Sequence, residues 1–202
     1  YSSQRTNMKL HCLTLIAHLT CLTGIPLYPA TNSTAPSLVN KTANLEVWQQ
    51  DQKRFLVTTE TENLFHTVRK ISYYHAQTPL GDLYYERWPL GINVIHSFWI
   101  APAQRRHGYG LALLQFACQH LTQAGAQRIL IQPGPFEKRD GKIVAFPPTE
   151  KAQRLAAIIR LYRQAGFQPA AKWLTYLARG LYPLMEIDED AHDLMVFSSK
   201  AA

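Results

Sequence analysis

The chain has 202 residues, enough for one domain or for one domain with an extension. Hydrophobic residues make up 47% and charged residues only 17%, which suits a packed core and excludes a disordered or low-complexity chain. The formal charge of +7 favours anionic partners, and a phosphate-bearing cofactor meets that expectation as well as a nucleic acid does. Cys12, Cys21 and Cys118 contain no CxxC pair. Neither a disulfide framework nor a zinc site is expected, and the thiols read as reduced, in a cytoplasm.

In chain order, residues 9–29 place Leu10, Leu13, Leu15, Ile16, Leu19 and Leu22 behind Lys9, a faint likeness to a signal peptide. His11, His18 and three threonines interrupt the run, which is too short and too polar to span a membrane. Leu15, Ile16, Leu19 and Leu22 also fit helical spacing, so an amphipathic helix over residues 9–24 is the first reading. Secretion stays open as the second, and only there would the sequons at Asn32 and Asn40 matter. Residues 30–44 are polar and turn-rich and read as a linker, which divides the chain into an extension over 1–44 and a domain over 45–202.

Leu45 to Trp48 and Phe55 to Thr58 are strand-like runs. Thr59 and Glu62 then form a capping-box pattern, and Leu64, Phe65, Val68 and Ile71 follow at helical spacing, which predicts a helix over residues 60–74. The aromatics of residues 73–88 around Pro79, Gly81 and Asp82 suit a hairpin. Residues 92–101 are β-branched and aromatic and stop at Pro102, as an interior strand does. Residues 108–124 predict a helix with Leu111, Leu114, Ala117, Cys118 and Leu121 on one face and Gly125 at its C-terminal cap. A short strand over 128–132 leads to a long proline-rich loop over 133–150. A second helix over 153–164 carries Leu155, Ile158, Ile159 and Tyr162 on one face and stops at Gly166. Strands near 173–178 and 194–198 complete an α/β order.

The chemistry gathers at the junction from Ile100 to Leu111, where a buried strand breaks at Pro102, a basic loop follows, and Gly108 and Gly110 open a helix. The first turn of a helix carries unpaired N–H groups and the positive end of the dipole. Glycines let a phosphate approach that backbone, and Arg105 and Arg106 add charge, so the junction reads as a pyrophosphate cradle. It is no dinucleotide fingerprint, because Leu113 stands where the third glycine belongs, and the Walker pattern is absent.

Two motifs here resemble the GNAT family of N-acetyltransferases. Arg105-Arg106-His107-Gly108-Tyr109-Gly110 matches the family's R/Q-x-x-G-x-G/A signature, between the central strand and the main helix. Leu161-Tyr162-Arg163-Gln164-Ala165-Gly166-Phe167 is similar to the family's Leu-Tyr-x-x-x-Gly-Phe helix end. The resemblance covers residues 92–170 and implies the GNAT fold, an α/β fold whose mixed central sheet is splayed between two parallel strands and flanked by helices. It implies acetyl-CoA as donor and a primary amine, on a small molecule or a protein, as acceptor, joined by direct attack without an acyl-enzyme. Backbone amides of Trp99, Ile100 and Ala101 would pair with the pantetheine arm. Those of Arg105, Arg106, His107, Gly108, Tyr109, Gly110 and Leu111 would bind the pyrophosphate of coenzyme A. Tyr162 matches the family's general acid, and a phenol of pKa about 10 holds its proton at neutral pH.

For the base, the central strand offers His96 where the family often has a carboxylate or a water chain. By strand alternation His96 shares a face with Phe98, and a core histidine is the competing reading. Glu86 and His75 are the weaker candidates. Leu155 departs from the family, which carries an asparagine seven residues before the tyrosine. The loop over 133–150, with Phe136, Glu137, Lys138, Arg139 and Asp140, is expected to lie on the acceptor side. Two other readings stay open, a non-catalytic acyl-CoA-binding module and an acetyltransferase acting on a nucleic-acid-associated amine. The basic residues are dispersed, however, and no RNA-binding motif is present.

Overall fold

The computed structural model describes residues 35–62, 67–134, 136–139, 142–171, 174 and 194–198. Strands β1 (Ser37–Lys41), β2 (Leu45–Gln50), β3 (Lys53–Glu62), β4 (Thr67–His75), β5 (Thr78–Arg87) and β6 (Ile92–Ile100) follow one another along the chain. Helix α1 (Tyr109–Gln123), strand β7 (Arg128–Ile131), the strands β8 (Phe136–Arg139) and β9 (Lys142–Ala145), and helix α2 (Pro148–Gln164) come next. The short β10 (Gln168–Pro169) and β11 (Met195–Ser198) close the order. Nine strands form one sheet in the order β1-β2-β3-β4-β5-β6-β7-β11-β10, with β8 and β9 paired apart from it. Among the described residues β6 and β7 are the parallel pair, joined by α1 as a parallel crossover requires.

The two sheet faces carry different cores. Ile71, Tyr73, Leu83, Tyr85, Ile95 and Ile100 form one face, against which α1 lays Leu113, Leu114, Ala117 and Leu121. Each of those leucines is 0% exposed, so each contributes about 2 kcal/mol by leaving water. α2 adds Tyr162 to that core, with Ile158, Ile159 and Leu161 at its edge. On the other face Ile92 and Val94 of β6 meet Leu130 of β7, Leu174 and Leu194. The spacing that predicts two amphipathic helices therefore points both apolar stripes at one side of the sheet.

Three expectations change. The predicted helix over 60–74 is absent from its described residues: β3 runs to Glu62, and Thr67–His75 is β4, paired antiparallel to β3. Val68 and Ile71 fit a helical period, but Ile71 and Tyr73 also fit a period of two and are both 0% exposed. Pairing on both sides, with β3 and β5, decides for strand. Within residues 30–44, read as linker, Ser37–Lys41 is β1 and pairs with β2, so the sheet starts before residue 45. Within residues 133–150, read as loop, β8 pairs with β9 and α2 begins at Pro148, five residues before the expected Gln153. The expected helix over 9–24 lies outside the described residues, as does the strand over 173–178 apart from Leu174. Among the described residues no helix is long and apolar enough to cross a membrane.

Candidate active site

The cradle forms where β6 ends. Arg105 Nε donates to Ile100 O at 3.1 Å, tying the basic loop back to the strand terminus. Arg106 and Gly108 take left-handed backbone angles, φ 67 and 79, and the chain turns through them into α1. Gly108 is the N-terminal cap of α1 and no side chain caps the helix. The Ala112 amide bonds Gly108 O at 3.1 Å, so the amides of Tyr109, Gly110 and Leu111 precede the first bond of that ladder. A Cβ built on Gly108 meets nothing within 4 Å, so its outer side is open. One built on Gly110 would come within 3.3 Å of Phe98 Cζ and 3.5 Å of Leu161 Cδ2. Gly110 thus lets the first turn of α1 sit against both β6 and α2. An uncapped helix start reached by open backbone fits a pyrophosphate, and of the predicted run from Arg105 to Leu111 the Arg105 amide already donates to Pro102 O at 3.3 Å.

Beside the cradle the sheet splits. β6 and β7 pair only from Ile92↔Arg128 to Ile95↔Ile131, yet β6 runs on to Ile100. On the other side β6 stays paired with β5 up to Gly81↔Ile100, and the Ala101 amide donates to Leu80 O at 2.8 Å. In an antiparallel ladder alternate residues turn their backbone groups the same way, so Trp99 also turns to β5 while Phe98 and Ile100 turn to the gap. Of the expected Trp99, Ile100 and Ala101, then, Ile100 faces the gap. Trp99 and Ala101 do not, and Phe98, which the sequence reading missed, does. Tyr162 lies next to it, its ring 6.3 Å from the Phe98 ring at 70° and 6.1 Å from that of Phe167. It is 6% exposed, and burial pushes its phenol well above the ordinary tyrosine value. Leu155, 2% exposed, spends the family's asparagine position in the core.

His96 sits at a bulge. Ser97 pairs with Tyr84 and Ile95 with Tyr85, which leaves His96 as the extra residue. Its Nε2 lies 2.7 Å from Glu86 Oε2, and Glu86 pairs with Val94, on the face away from α1. Phe98 pairs with Leu83 of the α1 face. The inserted residue shifts the alternation by one, so His96 and Phe98 point to opposite faces, contrary to the expectation from simple alternation. Side-chain exposure is 34% for His96 and 10% for Glu86. His75, the other candidate, pairs with Thr78 at the far end of the β4–β5 hairpin, and its ring lies 6.1 Å from that of Tyr109. It belongs beside the cradle and is not gathered with His96. The Glu86–His96 contact has no sequence signal, because two residues ten apart meet only once the hairpin's register and the bulge are set.

The family model described as Acetyltransferase (GNAT) family matches residues 41–146, just over half of the 202 residues, and the chain belongs to that family. Its mixed sheet with one parallel pair among the described residues is the GNAT fold. Solved structures similar to it include a Bacillus subtilis acetyltransferase in complex with CoA, at 14% identity and TM-score 0.42, covering 65% of this chain and 77% of that one. An acetyltransferase of the GNAT family from Staphylococcus aureus is 11% identical with TM-score 0.43, covering 65% and 68%. The aminoglycoside acetyltransferase AAC(6')-Ib, in complex with coenzyme A and kanamycin, is 15% identical with TM-score 0.42, covering 65% and 66%. No curated protein matches the chain.

Proposed function

We propose that this protein is an N-acetyltransferase that moves an acetyl group from acetyl-CoA to a primary amine by direct attack in the gap between β6 and β7. The observation that carries the reading is that gap: four residues paired with β7, then β6 running on beside β5 without β7, with the open start of α1 at its end. Amides from Arg106 to Leu111 would hold the pyrophosphate, the Arg105 amide being engaged by Pro102 O at 3.3 Å, and the backbone of Phe98 and Ile100 would take the pantetheine in place of the missing strand. When bound, the donor supplies an activated acyl carbon whose C–S bond breaks as the amine nitrogen bonds to it. His96 and Tyr162 serve opposite faces of the sheet, which suits the two proton movements the reaction needs. His96 takes the proton that the amine nitrogen gives up. Tyr162, kept protonated by its burial, gives its own to the departing sulfur and is reprotonated from solvent as His96 releases the amine's proton to solvent, one proton in for one out. No charge remains at the end, and the products are an amide and a thiol.

Turnover identifies the acceptor class. Free thiol release from acetyl-CoA should be screened over polyamines, aminoglycosides, amino acids and peptides. Turnover on at least one class is the expected result. Coenzyme binding with no thiol release on any of them would instead make the chain a binding module.

A further inference from the structure

We infer that Glu86 is the positioning residue for the base: it holds the His96 imidazole as the Nε2–H tautomer, so that Nδ1 presents the lone pair that accepts the amine's proton. The inference rests on the reading of His96 as base. Its own footing is the 2.7 Å contact between His96 Nε2 and Glu86 Oε2 across the β5–β6 bulge. A carboxylate can only accept, so a neutral imidazole must donate from Nε2, and Nδ1 is left as its acceptor.

Where Glu86 sits supports a task other than packing. It is 8% exposed and pairs with Val94, a fully buried member of an apolar cluster. Burying a carboxylate there costs desolvation, and an apolar side chain would fill the position better. Among the described charged residues of that face, Lys70 and Asp82 pair with each other at 3.3 Å, the ammonium lying over the Tyr84 ring at 5.4 Å, and Arg128 of β7 stands opposite Ile92. Arg87, next along β5, turns away and donates to Ala124 O at the end of α1, at 3.4 Å. The bulge completes the arrangement. Without the extra residue, the strand's alternation could not put both His96 and Ser97 on the face of Glu86 while returning Phe98 to the core.

During the reaction the amine's proton moves to Nδ1, and the imidazolium is stabilised by the Glu86 carboxylate at Nε2. Glu86 touches neither donor nor acceptor and acts through His96.

Three measurements test this. Nitrogen-resolved NMR of the His96 ring, assigned by its loss in His96→Gln, should show Nε2 protonated and Nδ1 bare in the wild-type protein at neutral pH. A ring protonated at Nδ1 overturns the inference without any variant having to fold. Glu86→Gln keeps size and shape but removes the charge. It should lower kcat by about tenfold to a hundredfold, part of the ~10²–10⁴ a general base supplies, with little change in acceptor KM. It should also let the ring proton redistribute between Nε2 and Nδ1 in the same NMR experiment, because an amide can donate as well as accept, a change that a purely structural role would not produce. In the His96→Gln background, Glu86→Gln should add nothing further. If His96→Gln is as active as the wild type, the base reading fails and the inference with it. If His96→Gln is impaired while Glu86→Gln keeps wild-type rate and tautomer, Glu86 alone loses its role.

Discussion

Tyr162 shows how a residue's surroundings select among its chemistries. A phenol on an exposed helix would titrate near its ordinary value, whereas this one is buried among Phe98, Phe167 and the α1 core, and burial raises it. The proton is therefore retained well into alkaline solution, which suits the proposed role of giving it to a thiolate. Tyr162→Phe keeps the ring contacts and loses the proton. Turnover should fall by roughly 10²–10⁴ with coenzyme Kd nearly unchanged. A Phe variant with wild-type kcat would return Tyr162 to core packing. The tyrosine was legible in the sequence because its motif is local. The orientation of His96 was not, since one inserted residue in β6 reverses the face of everything after it.

At the scale of elements, the start of α1 separates conformation from charge. Gly108 has φ 79 and open space where a Cβ would stand, so Gly108→Ala should cost only about 1–2 kcal/mol of backbone strain. Gly108→Asp adds a negative charge beside the predicted pyrophosphate and should abolish coenzyme A binding by calorimetry, while the alanine variant still binds. Equal affinity in wild type and Gly108→Asp would remove the cradle from the binding site. The other end of α1 is tied to β2, β4 and β5 by a buried polar cluster. Glu46 lies 3.2 Å from Trp48 Nε1, 3.5 Å from Arg69 and 3.8 Å from His120, and the Tyr85 hydroxyl is 3.4 Å from His120 Nε2. Burial pushes the His120 imidazole down to about 4, against the pull of the Glu46 charge. The folded chain thus refuses a proton that the unfolded chain accepts below its ordinary value of 6.5. Stability from this group is intact above that pH and is lost as pH falls toward 4, by at most ~3 kcal/mol. Thermal midpoints measured across that window should fall with acid in the wild type and fall less steeply in His120→Gln. Parallel curves would assign the acid lability to other groups.

For the whole molecule, the question is what closes the acceptor side. The β8–β9 hairpin leaves the chain just after β7, the strand that parts from β6, and returns it to α2. A hairpin in that place acts as a lid or as a passenger. Replacing residues 136–142 with a short Gly/Ser linker should raise the acceptor KM while leaving coenzyme Kd within error, since the cradle belongs to β6 and α1. Steady-state kinetics on any acceptor found by the screen would decide, and unchanged constants would make the hairpin a passenger.

The sequence by itself determined the parts whose causes are local. The glycines and arginines of the 105–110 loop, the two apolar helix stripes and the Tyr162 motif each depend on residues within a turn or two of one another, so their spacing carries the information. Together they were enough for the family. Only the tertiary structure decided the rest, because its causes are distant in sequence. Val68, Ile71 and Tyr73 became a strand through neighbours on both sides. Phe98 and Ile100 face the gap because β5 engages the amides that flank them. Glu86 reaches His96 through the register of a hairpin and a single extra residue, and a register is a property of two strands that neither strand's own pattern contains.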